Sequence, residues 1–304
     1  MKTVLVTGGS GFIGSRTLGR LVKRGYRVHA VSRGDVRQAG GVHWHRADVL
    51  DPAAMDALVS SVRPTHLLHL AWITEHGKYW TAPINTAWLT ASLYLLEVFG
   101  RSGGKRAVGV GTCAEYDWTC PGPYREGSPL GPTSLYGAAK ASLGLMQAQL
   151  AHSLGFEQAW CRPFFLYGPG ENPQRLIPSL ISAMLRGEAP VCNKPDAIRD
   201  FLHIDDVAGA IVTVLDSDHE GPVNIGSGDG VALGLIAQIL MELAGLESAP
   251  QTGSDVQLAA SDCVVTDTSV LSTLGFRPRH TLRSGLTETL GWWRDQAAVG
   301  EYGA

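Results

Sequence analysis

A short apolar segment near the N-terminus runs directly into a glycine-rich turn. Residues 3–7, TVLVT, predict a strand, and Gly8, Gly11 and Gly14 then open a helical pattern over 12–24. Glycines without side chains allow a tight turn and a close approach of the backbone to a pyrophosphate, whose charge the helix N-terminus stabilises. Strand, glycine turn and helix in this order predict the first unit of a dinucleotide-binding α/β sheet.

Strand-like and helix-like segments alternate through the first half of the chain. Helical patterns cover 12–24, 52–62, 85–99 and 136–154. Between them lie predicted strands at 3–7, 26–32, 42–46, 66–71, 106–110 and 158–166. Such alternation predicts a doubly wound parallel Rossmann sheet, with helices on both faces.

The regular alternation of predicted strands and helices ends after residue 167. YGPGENPQ is typical of a loop, a helical pattern returns at 176–185, residues 199–216 predict a turn into a helix, and 223–228 a short strand. We therefore expect a Rossmann domain over 1–167, to which 200–226 returns. A smaller, partly interleaved substrate-binding domain would comprise 168–199 and 227–304.

Composition excludes several classes of protein. The 304 residues carry a net charge of −3, so nothing favours binding to nucleic acid or to an anionic membrane. No apolar run is long enough to span a membrane and no signal-peptide core precedes the first glycines, so we expect a cytoplasmic protein. Five widely spaced cysteines predict no disulfide framework. His43 and His45 share a face of one predicted strand, but no third ligand lies nearby, so we expect no metal site.

The end of the second predicted strand indicates which dinucleotide binds. A carboxylate about 20 residues past the glycines would accept hydrogen bonds from the ribose of NAD. This chain has Ser32 and Arg33 there, which suit a 2′-phosphate. We therefore predict NADP(H), with NAD(H) as the alternative. From topology and the glycine turn, we expect further cofactor contacts from Phe12, Ile13, Asp48, Val49, Leu70, Ala71 and Pro163.

A tyrosine and a lysine lie four residues apart in SLYGAAK. Tyr136 and Lys140 would share one face at the start of a helix. A free tyrosine with a pKa of ~10 is a poor base at neutral pH, but a neighbouring ammonium and an oxidised nicotinamide would stabilise its phenolate. Tyr136 could then exchange a proton with a sugar hydroxyl while hydride passes to or from the cofactor, and both residues would contact that cofactor.

These motifs together resemble those of the extended short-chain dehydrogenases/reductases, in the nucleotide-sugar epimerase/dehydratase group. The likeness covers nearly the whole chain, in the family's order: TGGSGFIG, DVLD, HLA, GTCAEY, YGAAK, YGPG, RDFLHIDDVA and NIGSG. It implies an NAD(P)-dependent enzyme that acts on a nucleotide-linked sugar. It also implies a homodimer that pairs the helices near 85–99 and 136–152.

The resemblance assigns roles within GTCAEYDW. Thr112, four residues before Tyr116, corresponds to the family residue that donates a hydrogen bond to the reacting sugar oxygen. Sugar 4,6-dehydratases of the family have an Asp–Glu pair directly after this residue, whereas this chain has Cys113 and Ala114. The replacement argues against elimination of water. Glu115 matches no functional residue of the family, and we consider it a candidate substrate contact.

The resemblance also suggests how a nucleotide diphosphate is held. Arg199 of RDFLHIDDVA would contact phosphate, with Arg175 as a second candidate from its loop position. Phe165 stands where the family usually has an asparagine that contacts the sugar or diphosphate. Trp72, in a cluster of tryptophans after the fourth strand, either packs on the following helix or shapes the sugar pocket.

Three functions remain open from the sequence. The first is an NADPH-dependent ketoreductase of a 4-keto (deoxy)sugar nucleotide, which Ser32, Arg33 and the missing acidic pair favour. The second is an epimerase that oxidises and re-reduces one carbon and keeps its cofactor. The third is a cofactor-binding protein without catalysis, against which Thr112, Tyr136 and Lys140 argue.

Overall fold

Thirteen strands are present in the part of the chain that the computed structural model describes, residues 2–34, 40–246, 251–252 and 262–299. In chain order they are β1 (Thr3–Thr7), β2 (Arg27–Ser32), β3 (Val42–Arg46), β4 (His66–His69), β5 (Arg106–Val110), β6 (Glu157–Pro163), β7 (Phe165–Tyr167), β8 (Val191–Cys192), β9 (Ile198–His203), β10 (Gly221–Ile225), β11 (Gly230–Ala232), β12 (Gln251–Thr252) and β13 (Cys263–Val264).

Seven of these strands form one parallel sheet in the order β10-β6-β5-β4-β1-β2-β3. The order reverses direction between β1 and β4, and in such sheets the crevice beyond the carboxyl ends of those strands binds ligands. The side chains of Val4, Leu5 and Val6 in β1 are fully buried, as expected for a strand covered on both faces. The α/β doubly wound fold expected from the sequence is confirmed.

The described helices are α1 (Phe12–Lys23), α2 (Pro52–Val62), α3 (Ile84–Arg101), α4 (Leu135–Leu154), α5 (Leu176–Leu185), α6 (Ile204–Asp216), α7 (Leu233–Ala244), α8 (Ser269–Thr273) and α9 (Leu282–Ala298). Helices α1 and α6 pack on one face of the parallel sheet, and α2, α3 and α4 pack on the other. None of the helices in the described ranges combines the length and the apolar character needed to cross a membrane.

A second, smaller sheet carries residues of the C-terminal half. Strand β9 pairs with β11 in antiparallel fashion and with β7 and β13 in parallel. A separate apolar core lies among α5, α7 and α9. Because β9 belongs to this sheet, the chain returns to the parallel sheet only through α6 and β10, later than the expected residue 200. The division into two domains stays our interpretation of this topology.

The single strand predicted over 158–166 is wrong, because two strands in different sheets share that segment. Strand β6 ends at Pro163, which has no N–H to continue a ladder. The amide of Phe164 still donates to the carbonyl of Ile225 at 2.9 Å. Phe165 then pairs with Phe201 in the second sheet. The chain therefore crosses from one sheet to the other at Phe164.

A buried carboxylate ties the second sheet to the loop after β10. Asp200 in β9 accepts hydrogen bonds from the amides of Ser227 at 2.7 Å, Gly228 at 3.0 Å and Thr266 at 3.2 Å. It also accepts one from the Ser227 hydroxyl at 2.6 Å. Four donors that converge on one buried group explain why a turn of glycine and serine follows β10.

Replacement of Asp200 by alanine tests this connection. We expect Asp200→Ala to lower the free energy of unfolding by about 3 kcal/mol, because buried amides lose their acceptor. Asp229→Ala, at an exposed position of the same loop, should change it by less than about 0.5 kcal/mol. Urea denaturation of both variants measures the difference, and equal stabilities would contradict the connection.

Candidate active site

A cavity of about 560 Å³ opens beyond the carboxyl ends of β1, β4 and β5. The glycine turn forms one wall, the start of α4 a second, and residues after β7 and in β9 a third. Of the site residues predicted from the sequence, the cavity brings together Gly8, Gly11, Phe12, Ile13, Gly14, Leu70, Ala71, Trp72, Thr112, Tyr136, Lys140, Pro163, Arg175 and Arg199. Ser32, Arg33, Asp48, Val49 and Glu115 do not line it.

The glycine turn leaves no room for side chains. Gly8 has a φ of +70°, and a Cβ there would lie 2.8 Å from the amide nitrogen of Ala71. A Cβ at Gly14 would lie 2.1 Å from the carbonyl oxygen of Gly8. Gly11 caps α1 without a side-chain hydrogen bond, so the first amides of the helix remain available to an anion. This cradle fits the pyrophosphate of a dinucleotide.

The residues predicted to contact the adenosine half lie at the ends of β2 and β3. The Ser32 hydroxyl lies 3.4 Å from that of Ser10 in the glycine turn and accepts a hydrogen bond from the Gly34 amide. Arg33 is exposed, and Asp48 accepts a hydrogen bond from the Leu50 amide at 3.0 Å. The side chain of Val49 packs in the core, and a contact between Val49 and the cofactor stays a prediction.

Tyr136 lies in the first turn of α4 at the cavity wall. Ser134 caps this helix by accepting a hydrogen bond from the Gly137 amide. The rings of Tyr79 and Trp80 meet the Tyr136 ring edge-on, with centroids 4.9 and 5.7 Å away. Burial raises the pKa of Tyr136 above its ordinary value, the Tyr79 phenol adds to this, and a hydrogen bond with Thr112 opposes it.

Lys140 lies one turn further along α4 and is buried. Its ammonium donates to the Val110 carbonyl at 2.7 Å and lies 4.1 Å from the centroid of the Trp72 ring. Burial lowers the pKa of Lys140 to about 7, and the charge of Glu115 opposes that shift. Burial has the largest effect on the Tyr136 pKa and raises it, so stabilisation of the phenolate by Lys140 together with an oxidised nicotinamide stays a prediction.

Thr112 begins the short 3-10 helix Cys113–Glu115 after β5. Its hydroxyl oxygen accepts a hydrogen bond from the Ala114 amide at 3.2 Å. Because that bond occupies an acceptor position, the hydroxyl proton remains available as a donor, and it is within hydrogen-bonding reach of Tyr136. Thr112 is thus placed to donate a hydrogen bond beside Tyr136.

Glu115 faces away from the cavity, so the prediction that it contacts substrate is wrong. Its side chain is fully buried. It accepts hydrogen bonds from the Thr112 amide at 2.9 Å, from Trp160 Nε1 at 3.0 Å and from Arg162 Nε at 2.8 Å. A Cβ at Gly111 would lie 2.0 Å from Glu115 Oε1, so the glycine before Thr112 makes room for this inward turn.

The two arginines predicted to bind phosphate both line the cavity. The guanidinium of Arg175 lies 5.3 Å from the centroid of the Tyr79 ring. Arg199 donates to the carbonyls of Ile198 at 2.9 Å and Asp262 at 2.6 Å. These two carbonyls hold the Arg199 guanidinium in place at the cavity wall.

Trp72 both packs on the following helix and lines the cavity, the two alternatives that the sequence left open. Its indole N–H donates to Asn85 Oδ1 at 2.8 Å, and its ring lies near that of Trp88, with centroids 6.0 Å apart. The same ring lines the cavity, so it packs on α3 and also shapes the pocket. Phe165 lines the cavity as well, where the family usually has an asparagine.

Several cavity residues were missed by sequence reasoning. Glu171 Oε2 and His76 Nδ1 are buried without a hydrogen-bond partner among the described residues. Burial raises the pKa of Glu171 to about 8, opposed by Arg175. Glu171 lies in the loop after β7 and His76 in the loop between β4 and α3, and these loop positions were the only signal that could have pointed to them.

One cluster of possible metal ligands lies in the described ranges, outside the cavity. His203, His280 and Glu288 place ligand-type atoms within 4.8 Å of one another. The two imidazole centroids are only 4.0 Å apart, with planes 39° from parallel, so their lone pairs do not converge well on one ion. His280 already contacts Asp206 through Nδ1 and Glu288 through Nε2. We interpret the cluster as a structural network.

Comparisons with known proteins agree with this geometry. A model of the NAD dependent epimerase/dehydratase family matches residues 4–226. The chain is 28% identical over 320 residues to the dTDP-glucose 4,6-dehydratase of Streptomyces antibioticus, covering 97% of this chain and 93% of that protein.

Two solved structures are also similar. UDP-glucose 4-epimerase from Thermotoga maritima, solved with UDP-glucose, is 26% identical with a TM-score of 0.87, covering 97% of this chain and 99% of that one. UDP-glucose 4-epimerase from Thermus thermophilus, in complex with NAD, is 26% identical with a TM-score of 0.83, covering 96% and 99%.

The chain belongs to the NAD dependent epimerase/dehydratase family, since that family's model matches well over half of it. The resemblance read from the sequence motifs is confirmed, and the protein is an enzyme of this family. The reaction that it catalyses is a separate question.

Substitution of Gly14 tests the cofactor cradle. We expect Gly14→Ala to weaken dinucleotide binding by at least about tenfold, because the new methyl group collides with the Gly8 carbonyl and moves the helix N-terminus. Gly19→Ala, in the same helix with open space around it, should leave binding unchanged. Calorimetric titration with NADH and NADPH measures both, and equal affinities would refute the cradle.

Proposed function

We propose that the protein is an NAD(P)-dependent oxidoreductase that acts on the sugar of a nucleotide-linked sugar. The observation that carries the proposal is the convergence of Thr112, Tyr136 and Lys140 in one cavity with the glycine cradle. A bound nicotinamide would accept or supply the hydride. Thr112 would hydrogen-bond the reacting oxygen while Tyr136 exchanges its proton, and Lys140 would favour the phenolate form of Tyr136.

Among the possible reactions, we propose reduction of a 4-keto (deoxy)sugar nucleotide by NADPH. No carboxylate occupies residues 32–34 at the end of β2, where one would repel a 2′-phosphate, and Arg33 is exposed there. The residues after Thr112 offer no acid–base pair for elimination of water. Cys113 is buried, which raises its pKa to about 12, and Ala114 has no titratable group.

An epimerase is the second candidate. The similarity to the UDP-glucose 4-epimerases of Thermotoga maritima and Thermus thermophilus favours it, because those chains are covered almost completely. The same three residues would serve that reaction. Oxidation and re-reduction at one carbon would use Tyr136 first as base and then as acid, with the cofactor retained between the two steps.

Two arginines of the third wall and two aromatic rings of the cavity would bind the substrate. Arg175 and Arg199 would contact the diphosphate, since guanidinium groups bind phosphate oxygens in bidentate fashion. The rings of Trp72 and Phe165 would pack against the sugar or the nucleotide. Phe165 cannot supply the hydrogen bond of the family's usual asparagine.

We also propose that two copies pair through α3 and α4. Leu145 and Met146 on α4 expose 62% and 46% of their surface, and Ile84 at the start of α3 exposes 42%. Apolar side chains so exposed on adjacent helices suit a helix-to-helix interface.

The cofactor of the untreated purified protein tests the choice of reaction. We expect little retained nucleotide after denaturation and chromatography, and at least about tenfold tighter binding of NADPH than of NADH to the empty protein. Consumption of NADPH upon addition of a 4-keto sugar nucleotide would support the reductase. Near-stoichiometric release of NAD⁺ would instead overturn the reductase and make the epimerase the leading function.

A further inference from the structure

Glu115 is a buried carboxylate for which the proposed reaction has no role so far. Its three partners, the Thr112 amide, Trp160 Nε1 and Arg162 Nε, are all hydrogen-bond donors. Such a set satisfies an ionised carboxylate, because a protonated one would bring an additional hydrogen without an acceptor. Burial raises the pKa of Glu115, and the pairing with the buried Arg162 guanidinium opposes that shift and favours the charged form.

The carboxylate fixes the main chain of Thr112 directly. Glu115 Oε1 holds the Thr112 amide, while the Thr112 hydroxyl oxygen accepts from the Ala114 amide. The two bonds close a capping box around the 3-10 helix. As a result the main chain of Thr112 is held in place, and its side chain lines the cavity wall.

The same carboxylate lies close to the segment that binds Lys140, because Glu115 accepts from the Thr112 amide and the Lys140 ammonium donates to the Val110 carbonyl two residues earlier. Lys140 packs against the Trp72 ring and the Val110 carbonyl, and the titratable groups that interact with its charge are His69 from β4 and Glu115 from the 3-10 helix. Glu115 is the one acidic group in the described part of the chain whose charge acts on Lys140. Arg162 donates to Glu115 Oε2 at 2.8 Å and anchors it.

We propose that Glu115 is a positioning residue that acts on both catalytic partners. Its carboxylate holds the Thr112 main chain, and its negative charge stabilises the Lys140 ammonium behind Tyr136. The inference rests on the proposed function, because it assumes that Thr112 and Lys140 serve the reaction. It adds a residue that touches neither substrate nor cofactor.

Two substitutions separate the two effects. Glu115→Gln keeps an oxygen that can accept from the Thr112 amide but removes the charge. Glu115→Asp keeps the charge but shortens the side chain by one methylene, which withdraws it from that amide. Glu157→Gln is the matched control, because Glu157 pairs with the buried Arg106 at 3.3 Å at the opposite end of the sheet.

The charge effect is measured without substrate. In the full-length protein labelled with ¹³C at lysine Cε, the Lys140 resonance is assigned by its loss in Lys140→Met and titrated by NMR. We expect Glu115→Gln to lower the midpoint by about one pH unit, since loss of a neighbouring negative charge disfavours the ammonium. Glu115→Asp and Glu157→Gln should leave it in place. An unchanged midpoint in Glu115→Gln would overturn the charge effect.

The positioning effect is measured by turnover. We expect Glu115→Asp to lower kcat by about tenfold with KM and cofactor affinity unchanged, because the Thr112 amide loses its acceptor while Glu115 itself contacts neither substrate nor cofactor. In Glu115→Gln the high-pH limb of kcat should move down by the same interval as the Lys140 midpoint. Variants that change only the melting temperature would show that Glu115 is merely structural.

The test still gives an answer if a variant does not fold or if the wild-type protein shows no activity. If Glu115→Gln does not fold because Arg162 is left unpaired, the double variant Glu115→Gln, Arg162→Gln removes both charges. Its Lys140 midpoint should still fall, by less than about one pH unit, because loss of the Arg162 charge offsets part of the effect. If the wild-type protein turns over neither 4-keto sugar nucleotides nor sugar-nucleotide epimers, the proposed function is wrong. The lysine titration then still decides whether Glu115 holds the Lys140 charge.

Discussion

The close approach of the glycine turn to the ends of β1 and β4 is the constraint on which the site depends. A side chain at Gly8 would meet the backbone of Ala71, and one at Gly14 would meet the carbonyl of Gly8. Without them, α1 begins where the strand order reverses, and its amides face the cavity. The loop after β5 and the first turn of α4 then reach the same crevice from the neighbouring positions, which brings Thr112 and Tyr136 beside the cradle.

Most of the fold could be predicted from local patterns in the sequence. The strand of residues 3–7, the turn through Gly8 and the helix that follows could be predicted, because β-branched residues, glycines and helical spacing each act over a few residues. Tyr136 and Lys140 were found for the same reason, since four residues of helix place them on one face. Chain order and a known motif then sufficed to locate Thr112.

Features that depend on contacts between residues far apart in the chain could not be predicted from the sequence. Whether Glu115 points to the cavity or to the core is decided by Arg162 and Trp160, some 45 residues later in β6. Gly111 follows the predicted strand over 106–110, and it is small because Glu115 and Trp160 fill its space. The break between β6 and β7 at Phe164 could not be predicted either, because β6 pairs with β10 and β7 pairs with β9, and both partners lie far along the chain.

The measurement that tests the central claim most directly is the rate of hydride transfer in Tyr136→Phe. Enzyme saturated with NADPH is mixed with a 4-keto sugar nucleotide, and the nicotinamide signal is followed through a single turnover, with Tyr94→Phe on α3 as the control. If Tyr136 moves the proton, its loss should slow transfer by about 10²-fold or more while NADPH binding stays intact and the control keeps the wild-type rate. Transfer at the wild-type rate in Tyr136→Phe would contradict the account.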